Sequence, residues 1–140
     1  MELIMSEVCF ACEIVRSWQN FFTADVTSVE ATGYEGCLQI LPRRQPIISL
    51  LRPGFMRISL QDKSSVDYFL FEGVLYFDGS TALIVAEDIM NKDDITVDAI
   101  RKYSNELTER VLSVGDNLEE RAILEQMMND CLTLESTIGH

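Results

Sequence analysis

Three places in this 140-residue chain hold residue types whose spacing could do chemistry. Cys9 and Cys12 form a CxxC, the spacing of a thiol redox pair or of half a zinc site. Arg43 and Arg44 stand side by side between Pro42 and Pro46, lifted onto a stiffened loop that is either solvated or a docking element. Asp98 and Arg101, at i and i+3, would share one face of a helix. On spacing alone they read as an exposed ion pair. The only histidine is His140. Histidine catalysis and most metal sites therefore lack raw material, and no nucleophile–base pair is recognisable. No catalytic residue, no metal and no cofactor is expected.

The elements around each place decide what it can do. "VCFACEIV" reads as a strand, and in a strand positions i and i+3 point to opposite faces, so the Cys9 and Cys12 thiols diverge. A thioredoxin-like motif would open a helix, and a zinc site would need a second ligand pair. Cys9, Cys12, Cys37 and Cys131 read as reduced, mostly buried structural thiols. A thiol-redox enzyme is set aside on this ground.

Up to about residue 88, short runs rich in Val, Ile, Phe and Tyr alternate with turn signals. After "VCFACEIV" comes "ADVTSVEAT", closed by Gly33. "FMRISLQD" puts Met56, Ile58 and Leu60 on one side and Arg57 and Ser59 on the other. "SVDYFLFEGVLYFDGSTALIVAED" holds three more runs, broken at Gly73 and at Asp78–Ser80. A turn every eight to twelve residues or so describes an antiparallel sandwich or barrel. From Thr96 the period becomes helical. Val97, Ile100, Ser104, Leu107, Val111 and Val114 form one stripe, with Thr96 as N-cap and Gly115 as the stop. Asp116 and Glu119 offer a second helix start, followed by an apolar face of Leu118, Ala122, Leu124, Met127, Met128, Cys131 and Leu134. The expected fold is mainly β plus α: an antiparallel β-sandwich over 1–88, then a linker and an antiparallel two-helix hairpin over 89–140.

Apolar residues make up 47% of the chain, enough for a packed core, and the net charge is −12. That charge argues against nucleic acid and against anionic lipid as partners. Residues 1–86 carry ten acids and six bases; residues 87–140 carry thirteen acids and five bases. The helical half is thus the more acidic. No apolar run approaches the ~18 residues of a membrane span. The start, "MELIMSEVCF", lacks a basic n-region and reads as neither a signal nor a transit peptide.

"GCLQILPRRQPIISLLRPG" holds all three prolines and three of the eleven basic residues. Around it the chain resembles the epsilon subunit of the F-type ATP synthase, called delta in mitochondria. That family's pattern is roughly G-x-E-G-x-x-G-[IV]-x-P-x-H-x-P, then L-x-P-G-x-x-R-I. Here it reads Gly33, Glu35, Gly36, Ile40, Pro42 and Pro46, then Leu51, Pro53, Gly54, Arg57 and Ile58. "FFTADVTSVEATG", "FEGVLYF" and "TALIVAED" are similar to the family's flanking strands, in the same order. Gln39 replaces a usual glycine, Arg44 a usual histidine, and Cys37 a residue that is often acidic.

The resemblance implies a rotor part of the central stalk, without chemistry of its own, on the cytoplasmic face of the bacterial inner membrane. It would couple proton flow through the membrane ring to ATP synthesis in the catalytic head. Its partners would be the gamma subunit, the ring of c subunits and, through the helices, the catalytic alpha and beta subunits. Pro42 and Pro46 keep the backbone between them out of a sheet interior, while Pro53-Gly54 suits a type II turn. The implied gamma and ring interface comprises Glu35, Cys37, Leu38, Gln39, Arg43, Arg44, Gln45, Pro46 and Ile47. The alternative reading is an ATP-sensing regulatory module. Some family members bind ATP through I-D-x-x-R-A, matched here by Val97, Asp98 and Arg101, with Lys102 in place of the alanine; weak ATP binding would follow. In many bacterial members the last helix is basic and blocks ATP hydrolysis at an acidic region of beta. Here it is acidic, so weak or absent inhibition is expected, with the hairpin resting folded against the sandwich on its Leu118, Met127 and Met128 face.

Overall fold

The computed structural model describes residues 9–34 and 36–138. Seven strands come first: β1 (Phe10–Arg16), β2 (Gln19–Gly33), β3 (Gly36–Ile40), β4 (Ile47–Leu51), β5 (Gly54–Leu60), β6 (Ser65–Phe77) and β7 (Thr81–Asn91). A 3-10 turn at Lys92–Asp94 leads to α1 (Val97–Ser113) and α2 (Leu118–Ile138). The chain divides into two compact units after Lys92. The boundary read at residue 88 falls inside β7. Glu87–Asp88 looks like a strand end, but a bulge around Glu72 carries the pairing on, so that Ile89 and Met90 meet Leu70 and Phe69.

The strands form a β-sandwich by closing on themselves. β1 pairs β7, β7 pairs β6, β6 pairs β5, β5 pairs β2, and β2 returns to β1. Long strands make this possible: β6 gives its first half to β5 and its second half to β4. One pairing, β1 with β7, is parallel, so the sheet is mixed rather than wholly antiparallel. It joins the first and last strands, a contact between distant segments that local sequence does not announce.

Period-two burial builds the core. Phe10, Cys12 and Ile14 of β1 face inward; Ala11 and Glu13 face out. From β5, Met56 and Ile58 are buried as the alternation predicts, with Arg57 exposed. Val26, Val29, Leu75, Ile84 and Ile89 complete a centre with no exposed surface. Each such side chain contributes roughly 1.5–3 kcal/mol relative to exposure.

Three local expectations change. Gly73 does not end a strand; it sits within β6, where an added Cβ would lie 2.7 Å from the Val85 carbonyl oxygen. Glycine here permits close approach of two backbones at a bulge. Pro53-Gly54 is not a type II turn, since Gly54 lacks positive φ and instead begins β5 beside Thr32. β2 begins five residues before "ADVTSVEAT", after a two-residue turn at Ser17 (φ 51°) and Trp18 (φ 65°). Positive φ at both positions is the type I′ hairpin geometry, which usually advertises itself as Asn-Gly.

The helical unit has its own small core. The Thr96 hydroxyl accepts from the Ala99 N–H at 3.1 Å, as its cap position predicts. Ile100, Tyr103 and Leu107 of α1 and Leu124, Met127 and Cys131 of α2 are buried. The Tyr103 hydroxyl lies 3.9 Å from Met127 Sδ, and Arg101 pairs with Glu135 at 3.3 Å. Early α1 thus meets late α2, which makes the hairpin antiparallel. Asn117, rather than Asp116, caps α2: its Oδ1 accepts from the Glu120 N–H at 3.1 Å. Leu118 is exposed, and Met127 is buried in the hairpin's own core.

Candidate docking surface

The expected interface residues occupy one stretch of the sandwich but do not all face outward. Glu35 lies outside the described residues. β3 pairs antiparallel with the end of β2, setting Gln39 opposite Glu30 and Cys37 opposite Thr32. Cys37 and Gln39 are exposed on its outer face, and Gln39 Nε2 donates to Glu30 Oε1 at 3.4 Å. Leu38 turns the other way and packs against the core. Arg43, Arg44, Gln45 and Pro46 are exposed in the loop that follows. Arg43 takes a left-handed φ of 62°, a conformation L-residues usually avoid. Ile47 opens β4 with 39% of its surface exposed.

A second loop supports the first. Asp78 Oδ1 accepts from the Ser80 N–H at 2.9 Å and from the Thr81 N–H at 2.7 Å. Those backbone hydrogen bonds hold the Asp78 carboxyl below the usual carboxylate range. Gly79, in the same turn, lies against Arg44: a Cβ there would sit 3.5 Å from the Arg44 carbonyl oxygen. Between the two loops opens a groove of about 590 Å³ lined by Pro46, Ile47, Ile48, Tyr76, Phe77 and Leu83.

The groove is one end of an apolar face that the sequence reading missed. Across β4, β6, β7 and β1 the register aligns Ile48, Tyr76, Leu83 and Glu13 in one row. Leu50, Val74, Val85 and Val15 align in the next. These rows lie on the side opposite Leu75, Phe77 and Ile84, which are in the core. Ile48 is 73% exposed and Leu50 50%. Seven of the eight positions are apolar, although no core lies behind them. The signal was in the runs "GVLYF" and "ALIVA". A strand apolar at consecutive positions has both faces to cover, and this unit's core covers only one.

The proposed nucleotide residues lie in the other unit. Val97 and Asp98 start α1, and Arg101 already holds Glu135. No cluster of His, Cys, Asp or Glu among the described residues could hold a metal. Burial pushes the Cys12 and Cys131 thiols up to about 12, so neither is a ready nucleophile.

Residues 9–92 match the family model of the ATP synthase delta/epsilon chain β-sandwich domain. The chain belongs to the ATP synthase delta/epsilon family. The matched segment ends where the first compact unit ends. An ATP synthase epsilon chain of Chlorobium limicola is 34% identical over 84 residues, 60% of this chain and 96% of that one. That relative is therefore about as long as the sandwich unit alone. The epsilon chain of Xylella fastidiosa is 26% identical over 125 residues, 89% of each chain. The fold is also that of a chain in the cryo-EM structure of the Euglena gracilis mitochondrial ATP synthase OSCP/F1/c-ring. There the TM-score is 0.63 at 13% identity, over 87% of this chain and 78% of that one.

Proposed function

We propose that this chain is the epsilon subunit of an F-type ATP synthase and works in the central stalk as a non-catalytic coupling part. The observation that carries this reading is the outward apolar face of Ile48, Leu50, Tyr76 and Leu83 on a sandwich whose core is already complete. Such a face suits a permanent partner, since contiguous exposed apolar surface marks an interface. On this reading the face packs on the gamma subunit. The Arg43–Arg44 loop, beside the Asp78–Ser80 turn, meets the polar loops of the c-subunit ring. The sandwich then acts as a clamp: a closed sheet resists shear, so torque passes from ring to shaft without slip. No helix among the described residues is long and apolar enough to cross a membrane. Association with the membrane would be through the ring, on the cytoplasmic face in bacteria.

Co-purification of gamma by the sandwich ending at Lys92, compared with the same chain carrying Ile48→Glu, tests the proposal. The truncated chain should retain gamma, because it keeps every strand and the whole proline loop. Ile48→Glu should lose it while staying folded, since the site is exposed and surface substitutions usually cost within about 0.5 kcal/mol. Retention of gamma by Ile48→Glu would overturn the docking assignment.

A further inference from the structure

The groove between the proline loop and the Asp78–Ser80 turn opens beside the start of β1. Phe10 packs edge-to-face on Phe77, one of the residues lining the groove, with ring centroids 5.3 Å apart. The Ala11 N–H donates to the Ser80 carbonyl oxygen at 3.3 Å. Ala11 also pairs with Thr81, which lines the groove too. The chain therefore enters the sheet at one end of the groove. From there the groove crosses β7 and β6 to reach Ile47 and Ile48 of β4, three strands from β1. At about 4.8 Å per strand, that is a distance of roughly 15 Å.

Ahead of Cys9 the sequence reads "MELIMSEV", in which Met1, Leu3, Ile4, Met5 and Val8 are apolar. This stretch lies before the residues matched to the family's sandwich domain, which begin at Cys9. Fully extended, eight residues span up to about 27 Å. They can therefore cross the groove from β1 to β4 with length to spare. The far rim suits the acidic end of the stretch. Arg44 is exposed there and makes no ion pair among the described residues. The Asp78 carboxylate beside it is held by the Ser80 and Thr81 N–H groups. We propose that residues 1–8 lie across this groove in the isolated chain. Leu3 and Met5, which share a face when extended, rest on Ile48, Tyr76 and Leu83, and the Glu2 carboxylate sits beside Arg44. The chain thus covers its own exposed apolar surface. Any partner for the groove must displace a segment that is tethered at one end and so always at high local concentration. The proposal concerns the chain by itself and does not depend on the docking role proposed above.

Nuclear Overhauser contacts in the full isolated chain test this. The methyl groups of Leu3 and Met5 should show contacts to the Ile48 and Leu83 methyls and to the Tyr76 ring. Absence of all of them would overturn the proposal. Contacts that appear only between differently labelled copies in a mixed sample would assign the groove to a second copy and overturn the self-cover. A dye that reports exposed apolar surface, anilinonaphthalene sulfonate, gives a second readout. The double variant Leu3→Ser, Met5→Ser should bind it severalfold more than wild type while keeping the amide spectrum of the strands. Equal dye binding would overturn the apolar contact. Arg44→Glu should weaken the Leu3 and Met5 contacts, and Glu2→Lys added to it should restore them by swapping the charges. Contacts that stay weak in the swapped pair would overturn the placement of Glu2 beside Arg44.

Discussion

Arg101 of α1 reaches across the hairpin to Glu135 of α2, with Nε 3.3 Å from Oε1. The Glu135 side chain is only 19% exposed, while that of Arg101 is 65% exposed. The guanidinium that an ATP phosphate would need is already engaged, and removing it would leave a largely buried carboxylate without that partner. Wild-type protein is therefore expected to show no change in melting temperature at about 1 mM ATP, where a site with a Kd of about 1 mM would add roughly 0.4 kcal/mol. Glu135→Gln, which frees Arg101, should bind nucleotide at least as well. A clear upward shift of the wild-type Tm with ATP would show that the pair opens for nucleotide.

The four thiols separate by burial. Cys37 is exposed on β3, while Cys9, Cys12 and Cys131 are buried. Desolvation raises the Cys12 and Cys131 thiols to about 12, and burial also raises Cys9. Raising a thiol pKa favours the neutral form, so these groups stay protonated well above neutral pH. A thiol reagent should label one cysteine quickly at pH 7, and still only one at about pH 9. The other three should react once denaturant is added. Fast reaction of both Cys9 and Cys12 in native protein would revive the redox reading.

Arg43 pays a conformational cost for its place in the loop. At a φ of 62° it sits where a Cβ is disfavoured, by about 1–2 kcal/mol in a regular left-handed conformation. Glycine there relieves that strain but adds freedom to the unfolded chain. Arg43→Gly is expected to be neutral or more stable by up to about 1 kcal/mol in denaturant unfolding. Glutamate at both Arg43 and Arg44 should reduce proton-coupled ATP synthesis while leaving the fold intact. Stability lost in Arg43→Gly would mean the arginine side chain holds the loop. Unchanged coupling in the double variant would return the loop to a plain surface turn.

What was legible in the sequence was whatever depends on near neighbours. The change from alternation to a 3–4 spacing at Thr96 separates the two units, and the Thr96 and Asp78 side chains mark turns through bonds to residues two or three positions on. Distant pairing was not legible. The parallel β1–β7 match joins segments some seventy residues apart, and nothing local in "CEIV" or "LIVA" specifies the partner. The Ser17–Trp18 turn was not legible because it lacks the Asn-Gly signature, although both residues take positive φ. At the candidate site, the proline-bracketed arginines stood out as charge in an apolar stretch. Ile48, Leu50 and Tyr76 did not, because an apolar residue in an alternating strand reads as core until the register reveals its face. Leu38 shows the converse: its place in the motif groups it with Cys37 and Gln39, while its strand position packs it against the core.

The acidic second helix is expected to inhibit ATP hydrolysis weakly or not at all. α2 carries Glu119, Glu120, Glu125, Asp130 and Glu135 against the single base Arg121, which is itself paired with Glu125 at 3.3 Å. A helix of that sign is mismatched to an acidic dock on beta, and like charges brought together there would cost several kcal/mol. Extension would also have to open the hairpin. Leu124, Met127 and Cys131 would leave Ile100, Tyr103 and Leu107, and re-exposing an apolar side chain of that size costs roughly 1.5–3 kcal/mol. Both terms favour the closed hairpin. Synthase carrying the full chain and synthase carrying the chain cut after Lys92 should therefore hydrolyse ATP at rates within about twofold of each other, since a charge mismatch of this size leaves little inhibited state to release. A tenfold or greater rise after the cut would overturn the prediction. It would place on this organism's beta subunit a basic surface able to hold an acidic helix.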